Sequence, residues 1–264
     1  YCETTREERV RDLLAEGLLG QDGGGHDTAY DADTLARNFE QISFFDEFAR
    51  GAGLQASSGD AGALRRWSGP VRIGVEFGAS IPLQKRLQDK ATVQSYAARL
   101  ARLTGHPITT VNRGANFHVM ILSEDDRPAA VTRVKQLVPN INDTALDLVR
   151  NIPRSIHCMV IAFSAQNNDN DYKTAIALIR SEHPDLLRRS CIHEEVAQGL
   201  GLANDSPAAR PSIFNDDDEF ALLTTHDEML LGMLYDPRLS TGMSAAQAHP
   251  IVRQLAAERV GANF

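Results

Sequence analysis

Between residues 71 and 164 the chain changes repeatedly from strand-like to helix-like hydrophobic spacing. Apolar residues occupy every second position of Val71–Phe77, which is typical of an amphipathic strand. Thr92–Leu103 then carries apolar residues at helical spacing, which predicts a helix. Strands that alternate with helices bury their apolar sides by packing in layers, so the pattern predicts an α+β fold with a mixed sheet.

The same spacing rules predict the remaining elements. Further strands are expected at Ile108–Val111, Phe117–Leu122 and His157–Ser164, and further helices at Ala129–Val138, Thr144–Val149, Thr225–Tyr235 and Ser244–Glu258. Residues 165–183 are expected to return as a polar loop and a short helix. A helix that starts near Ser190 is expected to weaken at Gly199 and Gly201.

The first 66 residues are predicted to form a helical extension. Glu7–Leu19 and Ala32–Ala49 have helical periodicity, and a Gly- and Ser-rich stretch, residues 51–62, follows them. We therefore expect an extension over residues 1–66 and a main domain over residues 67–264.

The charge balance argues against nucleic-acid binding. The 264 residues carry a formal net charge of -8 at pH 7, and Lys and Arg are scattered. No apolar stretch approaches the roughly 18 to 20 residues that span a bilayer. Without an initiator Met, Tyr1 is expected to be the first residue of a processed or trimmed chain, which leaves export open. Cys2 leaves a lipid anchor open, although Tyr1 is a poor match for the small residue expected before a lipidated cysteine.

The chain has three cysteines, and their spacing does not match a structural zinc site. In an oxidising compartment Cys158 and Cys191 are the better pair for a disulfide, because both flank the predicted core segment. Two buried free thiols are the alternative that the sequence leaves open.

One segment has the spacing of a catalytic helix. Side chains four residues apart lie on one helical face and can reach one metal ion, while a carboxylate beside the first of them can activate water. Glu194 and Gln198 have this spacing and Glu195 follows Glu194. Gly201 then allows a turn that brings back Asn204.

This frame resembles the HExxHxxGLxH helix of the matrixin-type metzincins, which are zinc proteases of the zincin fold. Glu194, Gln198 and Asn204 stand where the resemblance requires three histidines, and Glu195 stands at the general base. His193 is out of frame, because no histidine follows it four residues later. Since oxygen donors suit calcium or magnesium better than zinc, no metal is expected, although zinc or calcium at these positions stays open.

The resemblance continues after the helix. Ser212–Asn215 is similar to the Met-turn of matrixins, with Phe214 at the Met position, and Leu223–Tyr235 is similar to their closing helix. Together with Cys191–Asp205 and Leu234–Met243, these motifs resemble a proteobacterial family of unknown function, DUF2927, often labelled as lipoproteins. That resemblance implies export to the periplasm or outer surface and brings no known activity.

Two classes of function are weighed. The leading one is a pseudoprotease that binds a protein or peptide partner through its cleft, with an edge strand within Phe117–Leu122 accepting an extended segment. The alternative is a metal-dependent hydrolase in which Glu195 is the general base of an atypical oxygen-rich site. A weaker possibility is a metal-free acid/base set of Glu194, Glu195 and Asp205.

The same polar residues have a structural interpretation. Gln198 and Asn204 are expected to hydrogen-bond to each other or to backbone groups and to fill the vacated metal site. Convergence of His193, Glu194, Glu195 and Asp205 on one ion is not expected, because adjacent carboxylates on a helix point about 100° apart.

Overall fold

The computed structural model describes residues 2–23, 29–46, 55, 57–215 and 218–261, without the side chains of residues 2–5. Its helices are α1 (Cys2–Ala15), α2 (Ala32–Phe44), α3 (Leu83–Thr104), α4 (Arg127–Leu137), α5 (Asp143–Arg150), α6 (Asp185–Leu200), α7 (Thr225–Leu234) and α8 (Ala245–Gly261). Its strands are β1 (Val71–Phe77), β2 (Ile108–Thr110), β3 (Phe117–Leu122), β4 (Cys158–Ala165) and β5 (Asn168–Arg180). Among the described residues, no helix combines the length and the apolar character needed to cross a membrane.

The five strands form one mixed sheet in the order β2-β1-β3-β5-β4. Neighbours are parallel except for β4, which runs antiparallel to β5 and forms one edge. The predicted α+β fold with a mixed sheet is confirmed. The prediction of an edge strand within Phe117–Leu122 is wrong, because β3 pairs with β1 on one side and with β5 on the other.

Helices cover both faces of the sheet. Phe117, Val119 and Ile121 of β3 point into the larger core, where the sheet packs against α3 and α6. Met120 points to the opposite face, where it joins residues of α4 and α5. Both sides of β3 are therefore buried, which explains its continuous apolar sequence.

The prediction for residues 165–183 is wrong, because Asn168–Arg180 forms the long strand β5. The first half of β5 is polar, and its apolar second half is short and rich in alanine, so the local pattern resembles a loop and a helix. Pairing with β3 and β4 overrides that local preference. Helix α6 also starts earlier than expected, at Asp185 directly after Pro184, so Ser190 lies inside the helix.

The two described helices of the N-terminal part differ in their packing. Leu35, Phe39 and Ile42 of α2 are fully buried in the larger core, in which α2 packs against α7 and α8. Val10 and Leu13 of α1 belong to a separate small cluster. Residues 47–49 of the predicted second helix, and residues 51–54 and 56 of the Gly- and Ser-rich stretch, lie outside the described residues.

Candidate functional site

A cleft of about 680 Å³ lies between β4 and α6. One wall consists of residues 158–164 of β4. The other wall is the face of α6 on which Leu187, Cys191, Glu194 and Gln198 follow one another at steps of four, three and four residues, as required for one side of a helix.

Close packing of α6 on the sheet fixes this wall. The carbonyl oxygen of Gly199 accepts a hydrogen bond of 2.8 Å from Nε1 of the buried Trp67. A Cβ atom on Gly199 would lie 2.5 Å from the ring of Phe117. The helix then ends at Gly201, which has a φ of +131°. A Cβ atom added at this position would clash with the Arg65 carbonyl oxygen, so only glycine fits.

A disulfide joins the two walls. It links Cys158, the first residue of β4, to Cys191 of α6, with their Cα atoms 5.8 Å apart. Cys191 is 1% exposed, so this crosslink lies at the base of the cleft wall. Of the two alternatives that the sequence left open for these cysteines, the structure contains the disulfide.

Glu194 and Glu195 converge beside this disulfide. One carboxylate oxygen of each and Sγ of Cys158 lie within 4.8 Å of one another. The expectation that neighbouring glutamates on α6 diverge is therefore wrong for their carboxylate ends, because two long side chains can bend to a common point although their Cα–Cβ bonds differ in direction. Glu194 is partly exposed in the cleft, while Glu195 is 3% exposed.

Gln198 is one turn further along the cleft face. Its Nε2 atom donates a hydrogen bond of 3.0 Å to Oδ1 of Asp205. Both side chains line the cleft, and this bond connects the end of α6 to the loop that follows it. The prediction that Gln198 bonds to Asn204 or to a backbone group is therefore wrong in its partner, which is the Asp205 side chain.

Asn204 is oriented toward a different part of the molecule. Its Nδ2 atom donates to the Gln41 carbonyl oxygen at 3.0 Å, and its backbone N–H donates to the Ile42 carbonyl oxygen at 3.2 Å. These carbonyls belong to the last turn of α2, where helical partners are missing. Asn204 therefore caps α2 and does not line the cleft.

His193 is a buried scaffold residue. Its ring stacks on Tyr96 of α3 with centroids 4.0 Å apart, and its Nδ1 atom accepts a hydrogen bond from the Leu223 backbone N–H at 3.1 Å. Burial, followed by the positive charges of Arg99 and Arg189, lowers its pKa to about 3. The ring is consequently neutral at pH 7 and does not belong to the cleft lining.

The turn over residues 211–215 closes the floor of the cleft. Ile213 and Asn215 line the cleft, whereas Phe214 is fully buried in the larger core. Asp227 of α7 fixes the turn, since its carboxylate accepts hydrogen bonds from Ser212 Oγ at 2.6 Å and from the Ile213 backbone N–H at 3.0 Å. Phe214 thus lies behind the floor of the cleft, while its neighbours Ile213 and Asn215 form that floor.

Three features of the site were not found from the sequence. They are the edge strand β4 as a cleft wall, the Arg65 side chain that pairs with Asp46 at the cleft, and Asp227 as the anchor of the floor. The predicted Cys158–Cys191 pair was the available signal for the first, because that crosslink requires β4 to lie against α6. Asp227 also forms the capping box of α7 with Thr224.

The comparison with known proteins identifies the family of this chain but no activity for it. A search of curated proteins found no match. A family model described as "Protein of unknown function (DUF2927)" matches residues 32–254, which include α2, the whole sheet, the cleft and most of α8. Since that match extends over most of the chain, the protein belongs to the DUF2927 family.

Proposed function

We propose that this protein is an exported, non-catalytic binding protein with a metzincin-like fold, and that it holds an extended protein or peptide segment in the cleft between β4 and α6. The observation that carries the proposal is the position of β4, which is both a sheet edge and a cleft wall.

Strand addition is the binding mode that this geometry favours. An antiparallel strand that pairs on one side directs the N–H and C=O groups of alternate residues toward its open side, where an incoming strand can pair with them. β4 has eight residues, whereas β2 at the opposite edge has three. The cleft edge therefore offers the longer surface for a partner strand.

The charge of the cleft favours a basic segment. Its described lining includes the acidic residues Asp46, Asp169, Glu194, Glu195, Asp205 and Asp218, against the single arginine Arg65. Lys or Arg side chains of a bound segment would complement this charge, and salt would weaken such binding.

The ligand-equivalent residues, which are Glu194, Gln198 and Asn204 at the positions of the three histidines in the metzincin frame, do not fit zinc. Zinc prefers imidazole and thiolate, and the site offers amide oxygens at two of the three positions. Asn204 is in addition used by α2 and Gln198 by Asp205. The Cys158–Cys191 disulfide supports export, because such crosslinks persist in oxidising compartments.

A peptide screen tests this proposal. Immobilised extended peptides of varied charge would be probed with the full chain, and the best binder resynthesised with single N-methylated amides. We expect N-methylation to abolish binding at every second position, because only alternate amides of an added strand face β4. The double change Glu194→Gln and Glu195→Gln should weaken Lys- and Arg-containing peptides several-fold, while Glu258→Gln on α8 should not. Binding that tolerates N-methylation throughout, or no binder at all, would overturn the proposal.

The alternative function is a metal-dependent hydrolase with Glu195 as general base. The convergence of Glu194 and Glu195 favours it, because two carboxylates could hold a hard cation that activates water. Elemental analysis of oxidised protein purified without chelator decides between the two functions. A stoichiometric metal that is lost in Glu194→Ala, together with peptidase activity lost in Glu195→Gln, would establish the hydrolase.

A further inference from the structure

The disulfide and the two glutamates occupy the same corner of the cleft. Sγ of Cys158 and the nearest carboxylate oxygens of Glu194 and Glu195 lie within 4.8 Å of one another. Zinc binds sulfur and carboxylate ligands at about 2.0 to 2.3 Å in a tetrahedral arrangement, so its ligand atoms lie roughly 3.3 to 3.8 Å apart. Side-chain rotations that shorten the present separations by about 1 Å would let these three atoms share an ion.

The disulfide withholds the sulfur ligands. Zinc and cadmium bind the thiolate form of cysteine, and a sulfur in an S–S bond has no thiolate charge. Reduction by a dithiol breaks the Cys158–Cys191 bond, and each sulfur gains one electron and one proton while the dithiol becomes a disulfide. Two thiols then stand side by side, and a bound divalent cation displaces their protons.

Cys191 completes the donor set. It precedes Glu194 by three residues and Glu195 by four on α6, so all three project from neighbouring positions of the helix. Cys158 approaches from β4. All four residues line the cleft, which gives an ion a route from solvent.

We propose that the cleft contains a redox-gated metal site, in which reduction of the Cys158–Cys191 disulfide creates a two-thiolate, two-carboxylate site for zinc with Glu194 and Glu195. This inference goes beyond partner binding and does not depend on it. The site also differs from the metzincin-like frame, since it shares only Glu194 with the three ligand-equivalent positions.

Cadmium titration tests the proposal, because cadmium–thiolate bonds absorb in the ultraviolet. The full chain with Cys2→Ser, which removes the third thiol, would be reduced with a phosphine, freed of reductant without air, and titrated with cadmium and then with zinc. We expect the reduced protein to bind one cadmium ion per chain with a thiolate absorbance band. The oxidised protein should bind at least about tenfold more weakly and show no band.

Variants on the same helix face separate the proposed ligands from their neighbours. Glu194→Gln and Glu195→Gln leave the disulfide in place during folding, and each should weaken binding to the reduced protein by about tenfold. Gln198→Ala, one turn further on, should leave binding unchanged. No band, a band unaffected by both glutamate changes, or loss of the folded circular dichroism spectrum on reduction would each overturn the proposal.

Discussion

The two sides of α6 show how differently polar residues can be used on one helix. On the core side, Arg188 and His193 are buried and each contacts α3. On the cleft side, Glu194 and Gln198 are partly exposed and line a cavity. The core-side residues hold α6 in position, and the cleft-side residues face the cavity in which we propose that a partner segment binds.

This difference has an energetic meaning. A buried polar group contributes through partners that cannot be replaced by water, so its loss is costly. A partly exposed group can exchange a protein partner for water at little cost. Substitutions on the two sides of α6 should therefore separate stability from binding.

The largest effect is expected at the buried ion pair of α6 with α3. Nε of Arg188 lies 3.0 Å and Nη2 2.9 Å from carboxylate oxygens of Asp89, and both side chains are at most 2% exposed. Asp89→Ala leaves the guanidinium without its main partner in the core and should lower the free energy of unfolding by about 3 to 5 kcal/mol. Urea denaturation followed by circular dichroism measures this loss.

Asp185 provides the matched control. It also accepts a hydrogen bond from Arg188 at 2.9 Å, but its side chain is 62% exposed. Asp185→Ala should therefore cost about 1 kcal/mol or less. Equal losses in the two variants would refute the distinction between the sides of the helix.

A smaller effect is expected from the pH dependence of His193. Its pKa is about 3 in the folded protein, mainly because of burial, and near 6.5 when unfolded. Below pH 6.5 the unfolded chain binds a proton that the folded chain does not, so stability is present above pH 6.5 and is lost as the pH falls toward 3. For this residue the free energy of unfolding is expected to fall by about 1.4 kcal/mol for each pH unit below 6.5.

The slope can be assigned by substitution. His183 also has a pKa lowered to about 3 by burial, and burial lowers the pKa of His106 and His157 as well, so four histidines contribute to the slope between pH 6.5 and 5, above the range in which most carboxylates titrate. His193→Asn removes one of these rings, and the slope of unfolding free energy against pH should fall by up to about 1.4 kcal/mol per pH unit over this window. An unchanged slope, in which the variant loses the same free energy of unfolding at every pH, would reflect lost packing alone and would contradict a neutral, buried His193.

The sequence predicted the parts of the fold that depend on local periodicity. β1 and β3 have the bounds that the apolar spacing indicated, and Gly201 makes the turn expected of it. Strand order has no such local signal, so β3 was placed at an edge. The continuous apolar run of β3 was itself evidence for a strand buried on both faces.

Site residues whose partners are distant in sequence could not be placed. Asn204 was expected in the cleft from its spacing after Glu194, yet its partner Gln41 lies 163 residues earlier in the chain. Spacing along one helix fixes which side chains share a face, as it did for Glu194 and Gln198. It does not determine which other element arrives to bind a residue in the following loop.

The smallest effects compare Asn204 with Gln198, two residues that the motif treats as equivalent. Asn204→Ala removes the bond that a buried side chain makes to the last turn of α2 and should lower the free energy of unfolding by about 1 to 2 kcal/mol. Gln198→Ala removes a partly exposed bond to Asp205 and should cost about 0.5 kcal/mol. Hydrogen exchange adds a local readout, because only Asn204→Ala should accelerate exchange in the last turn of α2. Faster exchange there in Gln198→Ala, or equal losses of stability in the two variants, would show that both residues support one structural network. Gln198 would then be a structural residue, and Glu194 would be the last residue of α6 on its cleft side.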